Sequence, residues 1–372
     1  MAMEINFGRR PPFSLGIEEE FQLVNADSYE LTSRFDEIHE AAGQDARIKP
    51  ELMKSVVEAA THVNSTVAEA IEEARVLRAR LQNAAAERNA LIAAAGTHPF
   101  SRYEHQEITD EPRYQELIDA MQWVAERELI FGLHVHVGLN TAQEAIAVAN
   151  ALRTHLPELL ALSANSPFWQ GRDTGLASTR IKVFDSFPRS GLPPAFSSFE
   201  EFELLVERGV KTKSFADYTF IWWDLRPHPK LGTIEIRICD AQTRLESLAG
   251  IVALVQSVVA TLAERYEREG TLPSQPITLV GENKWRAARY GLDAELVDLE
   301  RDEERPARAA VAALAEQALP AARRLGCAAE LAEVERLFQR GTGADEQRRV
   351  QTEQESLLAV AQWLATTTVA GI

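Results

Sequence analysis

Among the ionisable side chains that stand two residues apart in this chain are three pairs: Glu18 with Glu20, His134 with His136, and Glu235 with Arg237. Glu58 adds a lone carboxylate within the apolar run Val56–Val57 and Ala59–Ala60. A spacing of two on a β-strand puts both side chains on one face, roughly 6.6 Å apart at about 3.3 Å rise per residue. Four carboxylates and two imidazoles gathered in one hollow could not stay ionised without cations, because burial and like charge both penalise the anion, and Arg237 alone is too little. An oxygen-rich set of this kind suits hard divalent ions, Mg²⁺ first and Mn²⁺ by virtue of the histidines, and a carboxylate can bridge two ions about 4 Å apart. Zinc is disfavoured, since neither cysteine nor a tightly spaced carboxylate accompanies the H-x-H pair.

The elements that must position these groups are legible as strands. In "FSLGIEEEFQLV", residues 13–24, Leu15, Ile17, Phe21 and Leu23 take one face, and Gly16, Glu18, Glu20 and Gln22 the other. Glu19 falls on the apolar face and is expected to reach an arginine or the rim. The stretch 55–63 alternates around Glu58 and His62; "LHVHVGLN", residues 133–140, sets Leu133, Val135, Val137 and Leu139 against His134, His136, Gly138 and Asn140. "TIEIRICD", residues 233–240, sets Ile234, Ile236 and Ile238 against Glu235, Arg237 and Cys239. In one sheet, these strands bury their apolar faces under helices and pool Glu18, Glu20, Glu58, His134, His136, Glu235 and Arg237 opposite.

Between the strands, helical periodicity covers 67–96, closed by Gly96 as a C-cap, and 141–164. Residues 97–114 read as a Pro-punctuated loop, and 218–227 as a further strand joined to 232–240 by the turn-like "HPKLG". From about Arg244 onward the pattern is helical. No repeat or linker interrupts it, which predicts a single catalytic domain over 1–372: a strand-rich core about 13–243 and a helical C-terminal part about 244–372. The turns are too short for parallel crossovers, so the predicted class is α+β, a mainly antiparallel sheet with helices packed on one face.

Bulk composition narrows the partners. Lys and Arg number 39 against 56 Asp and Glu, a net charge of −17 that opposes nucleic acid and anionic membranes. With two cysteines, no apolar leader and no window near the roughly 18 apolar residues of a membrane span, the expectation is a soluble cytoplasmic protein. No G-x-x-x-x-G-K-[ST] loop occurs, so any nucleotide must be held by metals and side chains.

Together "LGIEEEFQLV", "HVHVGLN", "NSPFWQGRDTG", "STR" and "GTIEIRICDAQT" resemble the carboxylate-amine ligases of the YbdK-like, type 2 glutamate–cysteine ligase group, over about residues 13–370. More distantly, the three paired strands resemble the catalytic face of glutamine synthetase, whose fold the group shares. The resemblance implies ATP-dependent amide formation: a carboxylate is phosphorylated and an amine displaces phosphate, with glutamate and cysteine as one candidate pair. It implies that Glu18, His134 and Glu235 hold the metal nearest the ATP phosphates, and Glu20 and Glu58 a metal nearer the carboxylate substrate. Arg237 would bind the transferring phosphoryl group and His136 a phosphate or a metal ligand, leaving open which histidine is the direct ligand. Phosphoryl transfer asks for positioning and charge neutralisation rather than a covalent nucleophile, which agrees with this set.

The irregular stretch 165–180 suits a lid or substrate loop, with Asn165, Ser166, Gln170 and Asp173 as polar contacts, Trp169 as a stacking surface for the nucleotide and Arg180 as a clamp on carboxylate or phosphate. Trp222 and Trp223 read as one rim and one core residue, His98 as either site or turn chemistry, and Cys239 as a small core residue. Two other functions use the same groups: a dinuclear metallohydrolase that ignores ATP, and a silent Mg-ATP-binding protein. A homo-oligomer is expected from the general frequency of symmetric assemblies.

Overall fold

The computed structural model describes residues 3–298 and 300–372. Its main elements, in chain order, are β1 (Leu15–Asn25), β2 (Ile48–Pro50), β3 (Val56–Ala60), α1 (Val67–Ala86), β4 (Ala90–Ala93), β5 (Gly132–Gly138), α2 (Ala142–Leu152), α3 (Leu156–Ser163), α4 (Thr179–Phe184), β6 (Leu225–His228), β7 (Thr233–Asp240), α5 (Leu245–Glu269), α6 (Ile277–Tyr290), α7 (Ala307–Leu325), α8 (Gly343–Gln354) and α9 (Leu357–Thr368), with further pieces between them, among them the helices Pro112–Met121 and Phe199–Lys211.

The strands make one seven-stranded sheet in the order β6-β7-β5-β1-β3-β2, and β4 continues the β5 edge of the long β1. Every pairing in it is antiparallel. On one face Leu15, Ile17, Leu133, Val135, Val137, Ile234 and Ile236 are buried with residues of α2, α3, α5 and α7 in a single apolar cluster. Burial of such side chains contributes roughly 1.5–3 kcal/mol each. That leaves the opposite face of the same strands to carry the ionisable groups.

Several local expectations give way to tertiary structure. The periodicity after Val67 does not run to Gly96: α1 ends at Ala86, Asn89 turns the chain at φ 52, and Ala90–Ala93 pairs with β1. Gly96 is not a C-cap but a close approach, where a Cβ would meet Asp240 Cγ at 2.7 Å. The helix expected over 141–164 breaks at a 3₁₀ turn, Arg153–His155, and Pro157 sits in the first turn of α3, since proline supplies no amide to the preceding turn. Of residues 218–227 only 225–227 join the sheet, in the strand Leu225–His228, while Trp222–Trp223 pairs in parallel with Ser190–Gly191. The C-terminal part is helical apart from a hairpin of Glu295–Asp298 and Glu303–Pro306.

Helix α5 corrects another expectation, for it has the length and mean hydropathy, 1.8, of a membrane span. Its side chains from Ser247 to Ala260 are buried inside the protein, so its apolar character serves the core. Glu19 does find an arginine: it is buried with Arg78 of α1, whose guanidinium bonds Glu19 at 3.2 Å and the carbonyls of Gln242, Thr243 and Thr368. A charge on the apolar side is thus fully paired, which burial requires.

Candidate active site

Register, not sequence proximity, assembles the ionisable face. Across it, Lys49 opposes Glu58 and Glu58 opposes Glu20; one row along, Glu18 opposes His134; one further, His136 opposes Glu235 and Glu235 opposes Arg226. Directly opposed residues bring their Cβ atoms to about 5 Å, so six strands deliver one continuous polar strip. Glu18 Oε2 lies 3.2 Å from His134 Nδ1 and Oε1 lies 3.6 Å from His136 Nε2. Lys49 Nζ is 2.7 Å from Glu58, and Arg226 Nε 2.6 Å from Glu235, which also pairs with Arg237.

The sheet carries a bulge between Ile236 and Cys239. It moves Cys239 from the polar parity of its strand into register with Leu133, and the thiol is buried in the apolar core. The carbonyls of Arg237 and Ile238, left off the ladder, accept hydrogen bonds from Arg180 at 3.3 and 3.4 Å. Gly132 is required here, because a Cβ would run into the Arg180 guanidinium, and its amide donates to Glu20.

Over this strip lies a cavity of about 320 Å³ lined by Glu18, Glu20, Glu51, Glu58, Glu128, His134, Lys49, Arg113, Arg180, Arg226 and Arg237, with aromatic walls from Tyr114, Phe184, Phe187, Phe220 and Trp222. A second cavity of about 270 Å³ opens on the far side of Glu18 and Lys49, among Arg10, Arg47, Thr61, His136 and Thr233. Ligand atoms fall within 4.8 Å of one another in three sets: Glu18, Glu58 and His134; Glu18, His136 and Glu235; Glu20, Glu51 and Glu58. Both Nε2 atoms of His134 and His136 are buried without a hydrogen-bond partner. Buried imidazole nitrogens in that state, beside carboxylates, fit a divalent cation.

Electrostatics divide the strip. Burial alone would raise Glu18, yet His136 and His134 hold it well below the usual carboxylate range. Burial is likewise overcome at Glu235 by Arg226 and Arg237, which keep it ionised. On the other side, burial and the charge of Glu18 push Glu58 up to about 7 despite Lys49. Burial, Glu58 and Glu20 raise Glu51 well above its ordinary value. His136 is raised, its burial outweighed by Glu18 and Glu235, while burial and Arg237 lower His134.

The sequence-predicted residues Glu18, Glu20, Glu58, His134, His136, Glu235, Arg237 and Arg180 all meet at this strip. Asn165 and Trp169 do not. Asn165 is fully buried, bonding Asp240, Ala241, Thr243 and Gln347, because the loop must satisfy polar groups behind β7 rather than a ligand. Trp169 packs against the cluster of Ile130, Val183 and Phe184, behind the cavity wall. Ser166 Oγ donates to Asp240 at 2.7 Å and Asp173 pairs with Arg348 at 2.9 Å, so these two polar residues tie the stretch to β7 and α8. His98 is turn chemistry: it bonds Tyr29 O and accepts from Ser101 N, and burial lowers it to about 4. Trp222 lines the cavity and Trp223 is core.

Sequence reasoning missed Lys49, Glu51, Arg113, Glu128 and Arg226, and with them the premise that Arg237 is the lone cation fails. Arg226 had a signal, since it shares the polar parity of "DLRPH" and the short turn after it sets the register opposite Glu235. The others sit on a three-residue strand, a helix start and a loop, where periodicity says nothing.

A sequence profile of glutamate-cysteine ligase family 2 (GCS2) matches residues 14–361. A protein of Rubrobacter xylanophilus provisionally named glutamate–cysteine ligase 2-3 is 46% identical over 370 residues, 98% of this chain and 100% of its own length. A provisionally named glutamate–cysteine ligase 2 of Solibacter usitatus is 41% identical over 369 residues, 98% of this chain and 95% of its own. In fold, the chain is similar to the glutamate–cysteine ligase (gshA) of Francisella tularensis crystallised with AMP, at TM-score 0.70 and 13% identity, covering 99% of this chain and 90% of that one. It is also similar to a bifunctional glutathione synthetase of Pasteurella multocida, at TM-score 0.69 and 15% identity, covering 96% of this chain and 53% of that one. With the profile spanning most of its length and relatives above two-fifths identity end to end, the chain belongs to glutamate-cysteine ligase family 2 and is an ATP-dependent ligase.

Proposed function

We propose that the protein joins a carboxylate to an amine through an acyl phosphate made from ATP, and that glutamate, through its γ-carboxyl, and cysteine are the pair to test first. The observation that carries this reading is the continuous strip from Glu58 through Glu18 and His134 to Glu235 and Arg237, with a cavity on either side of Glu18. Two substrates that must exchange a phosphoryl group can approach such a strip from opposite ends. The relatives' names point to the same substrates, and the fold neighbour from Francisella was crystallised with AMP.

In this reading the smaller cavity, with Arg10, Arg47 and His136, takes the nucleotide. The larger one takes the carboxylate and the amine. Glu18, His136 and Glu235 would hold one Mg²⁺, with His134, which shares a set with Glu18 and Glu58, as a further nitrogen donor, and Glu20, Glu51 and Glu58 a second. Bound there, the ions would neutralise phosphate oxygens and align the attacking carboxylate. Arg237 receives the transferring phosphoryl, and Arg180, anchored on the bulge, holds the backbone of Arg237 in place.

The test is phosphate release with Mg-ATP across a matrix of carboxylates and amines. The ligase reading expects release only when ATP and both partners are present. Turnover of an amide or phosphate ester without ATP would favour a metallohydrolase and overturn it, and Mg-ATP binding with no acceptor-dependent release would leave a silent binding protein.

A further inference from the structure

We propose that Glu128 receives the ammonium of the amine acceptor and takes its proton, so that the neutral amine attacks the acyl phosphate. The assignment rests on the ligase reading above. Glu128 lies in the short stretch before β5 and lines the larger cavity with Glu20, His134, Arg180 and Arg237. The other carboxylates there already have an occupation: Glu58 binds Lys49, Glu18 binds His134, Glu20 accepts the Gly132 amide, and Glu51 shares a ligand set with Glu20 and Glu58. Glu128 makes no ion pair among the described residues, and its Oε2 is buried without a hydrogen-bond partner. A buried acceptor in that state costs about 1–3 kcal/mol, more when charged, and a ligand N–H would satisfy it.

The surroundings suit a cation. Tyr114, Phe184, Phe187, Phe220 and Trp222 wall the same cavity, and aromatic faces attract ammonium groups. Burial, the largest influence, and the charge of Glu20 raise Glu128 to about 8 against Arg180, Arg237 and Arg127, the other charged groups that face it. At that value the carboxyl is mostly protonated near neutral pH, and the positive charge of an arriving ammonium favours the carboxylate form that then takes the proton.

The step balances as follows. The acceptor ammonium gives one proton to the Glu128 carboxylate, and its nitrogen lone pair forms the C–N bond at the acyl carbon. The C–O bond to phosphate breaks, the leaving phosphate takes the second N–H proton, and Glu128 returns its proton to water.

Hydroxylamine separates this role from every other, because it is neutral near pH 7 and needs no base. The experiment compares Glu128→Gln with wild type, Mg-ATP and the carboxylate fixed, using the amine and hydroxylamine as alternative acceptors. Amine-dependent phosphate release is expected to fall about 100-fold or more with a raised KM for the amine, and hydroxamate formation less than about 3-fold. Equal loss with both acceptors, or no loss with either, overturns the assignment and leaves the ligase reading intact. A wild type inactive with both acceptors overturns the ligase reading and this assignment with it. Should Glu128→Gln not fold, Glu128→Asp is read the same way: its shorter reach must slow the amine more than hydroxylamine, and equal slowing overturns the proposal.

Discussion

The two ends of the polar strip solve the same problem differently. At the β7 end Glu235 sits between Arg226 and Arg237, ionised and 1% exposed, a finished ion cluster that needs no ligand to be stable. At the β3 end Lys49 pairs with Glu58 while Glu51 makes no ion pair among the described residues, and burial with mutual repulsion drives Glu51 and Glu58 toward the protonated form. On the proposed reading, arginine charge is built in where the phosphoryl group would bind, and the carboxylates of the β3 end are left short of positive charge where the second Mg²⁺ would bind, because protons can hold the place of a metal and leave when it binds.

Breaking the finished end should cost most. Glu235→Gln removes the partner of two buried guanidinium groups, and turnover is expected to fall about 1,000-fold by steady-state phosphate release; near-wild-type rates would remove Glu235 from the chemistry. Arg226→Met keeps the volume but leaves the cluster short of a cation, and urea unfolding should register about 3 kcal/mol of lost stability. No loss would mean that Arg237 alone suffices.

At the unfinished end the expected pattern reverses. Glu58→Gln should leave the stability of the metal-free protein unchanged or improved, while Mg²⁺ affinity, measured calorimetrically, falls about 10-fold or more. Equal damage to metal-free stability would erase the contrast between the two ends.

A pH series sharpens the comparison. The folded pKa of Glu58 is raised from 4.5 to about 7, so the folded state binds more protons than the unfolded one in that window. The Glu58 contribution to the stability of the metal-free protein, read as the difference between wild type and Glu58→Gln, should therefore decline as pH rises from about 5 to 7; Glu51 and His136 act in the same sense, and His98 and His134, held low by burial, in the opposite one. Glu18 and Glu235, held low, give their full contribution above the unfolded carboxylate range and add no slope there. Mg²⁺ should flatten the decline and release protons on binding; a flat metal-free profile contradicts the unfinished end. The smallest effect belongs to Cys239→Ala, on the apolar side of the bulge: about 1 kcal/mol of stability and no change in turnover.

How far the site could be read in advance follows from which interactions are local. Alternation along β1, β5 and β7 is a property of each strand by itself, and it correctly separated Glu18, Glu20, His134, His136, Glu235 and Arg237 from the apolar residues between them. It failed at Cys239, where a bulge inserts a residue, and at 90–93, where Ala-Leu-Ile-Ala, read as the end of a helix, is recruited as a strand because β1 offers an open edge. Asn165 and Trp169 looked functional because an irregular loop with polar and aromatic residues has no periodicity to explain it. Their partners, Asp240, Gln347 and the Ile130 cluster, come from distant parts of the chain.

What the sequence by itself determined was which side chains share a face, and through the order of its motifs, the family. The strand order β6-β7-β5-β1-β3-β2, the register that sets Arg226 against Glu235 and Lys49 against Glu58, and the delivery of Glu51, Arg113 and Glu128 to one cavity were decided only by tertiary structure. Parity arises from backbone geometry two residues apart. Register and charge pairing arise from contacts between segments that meet only when the whole sheet closes on its helices.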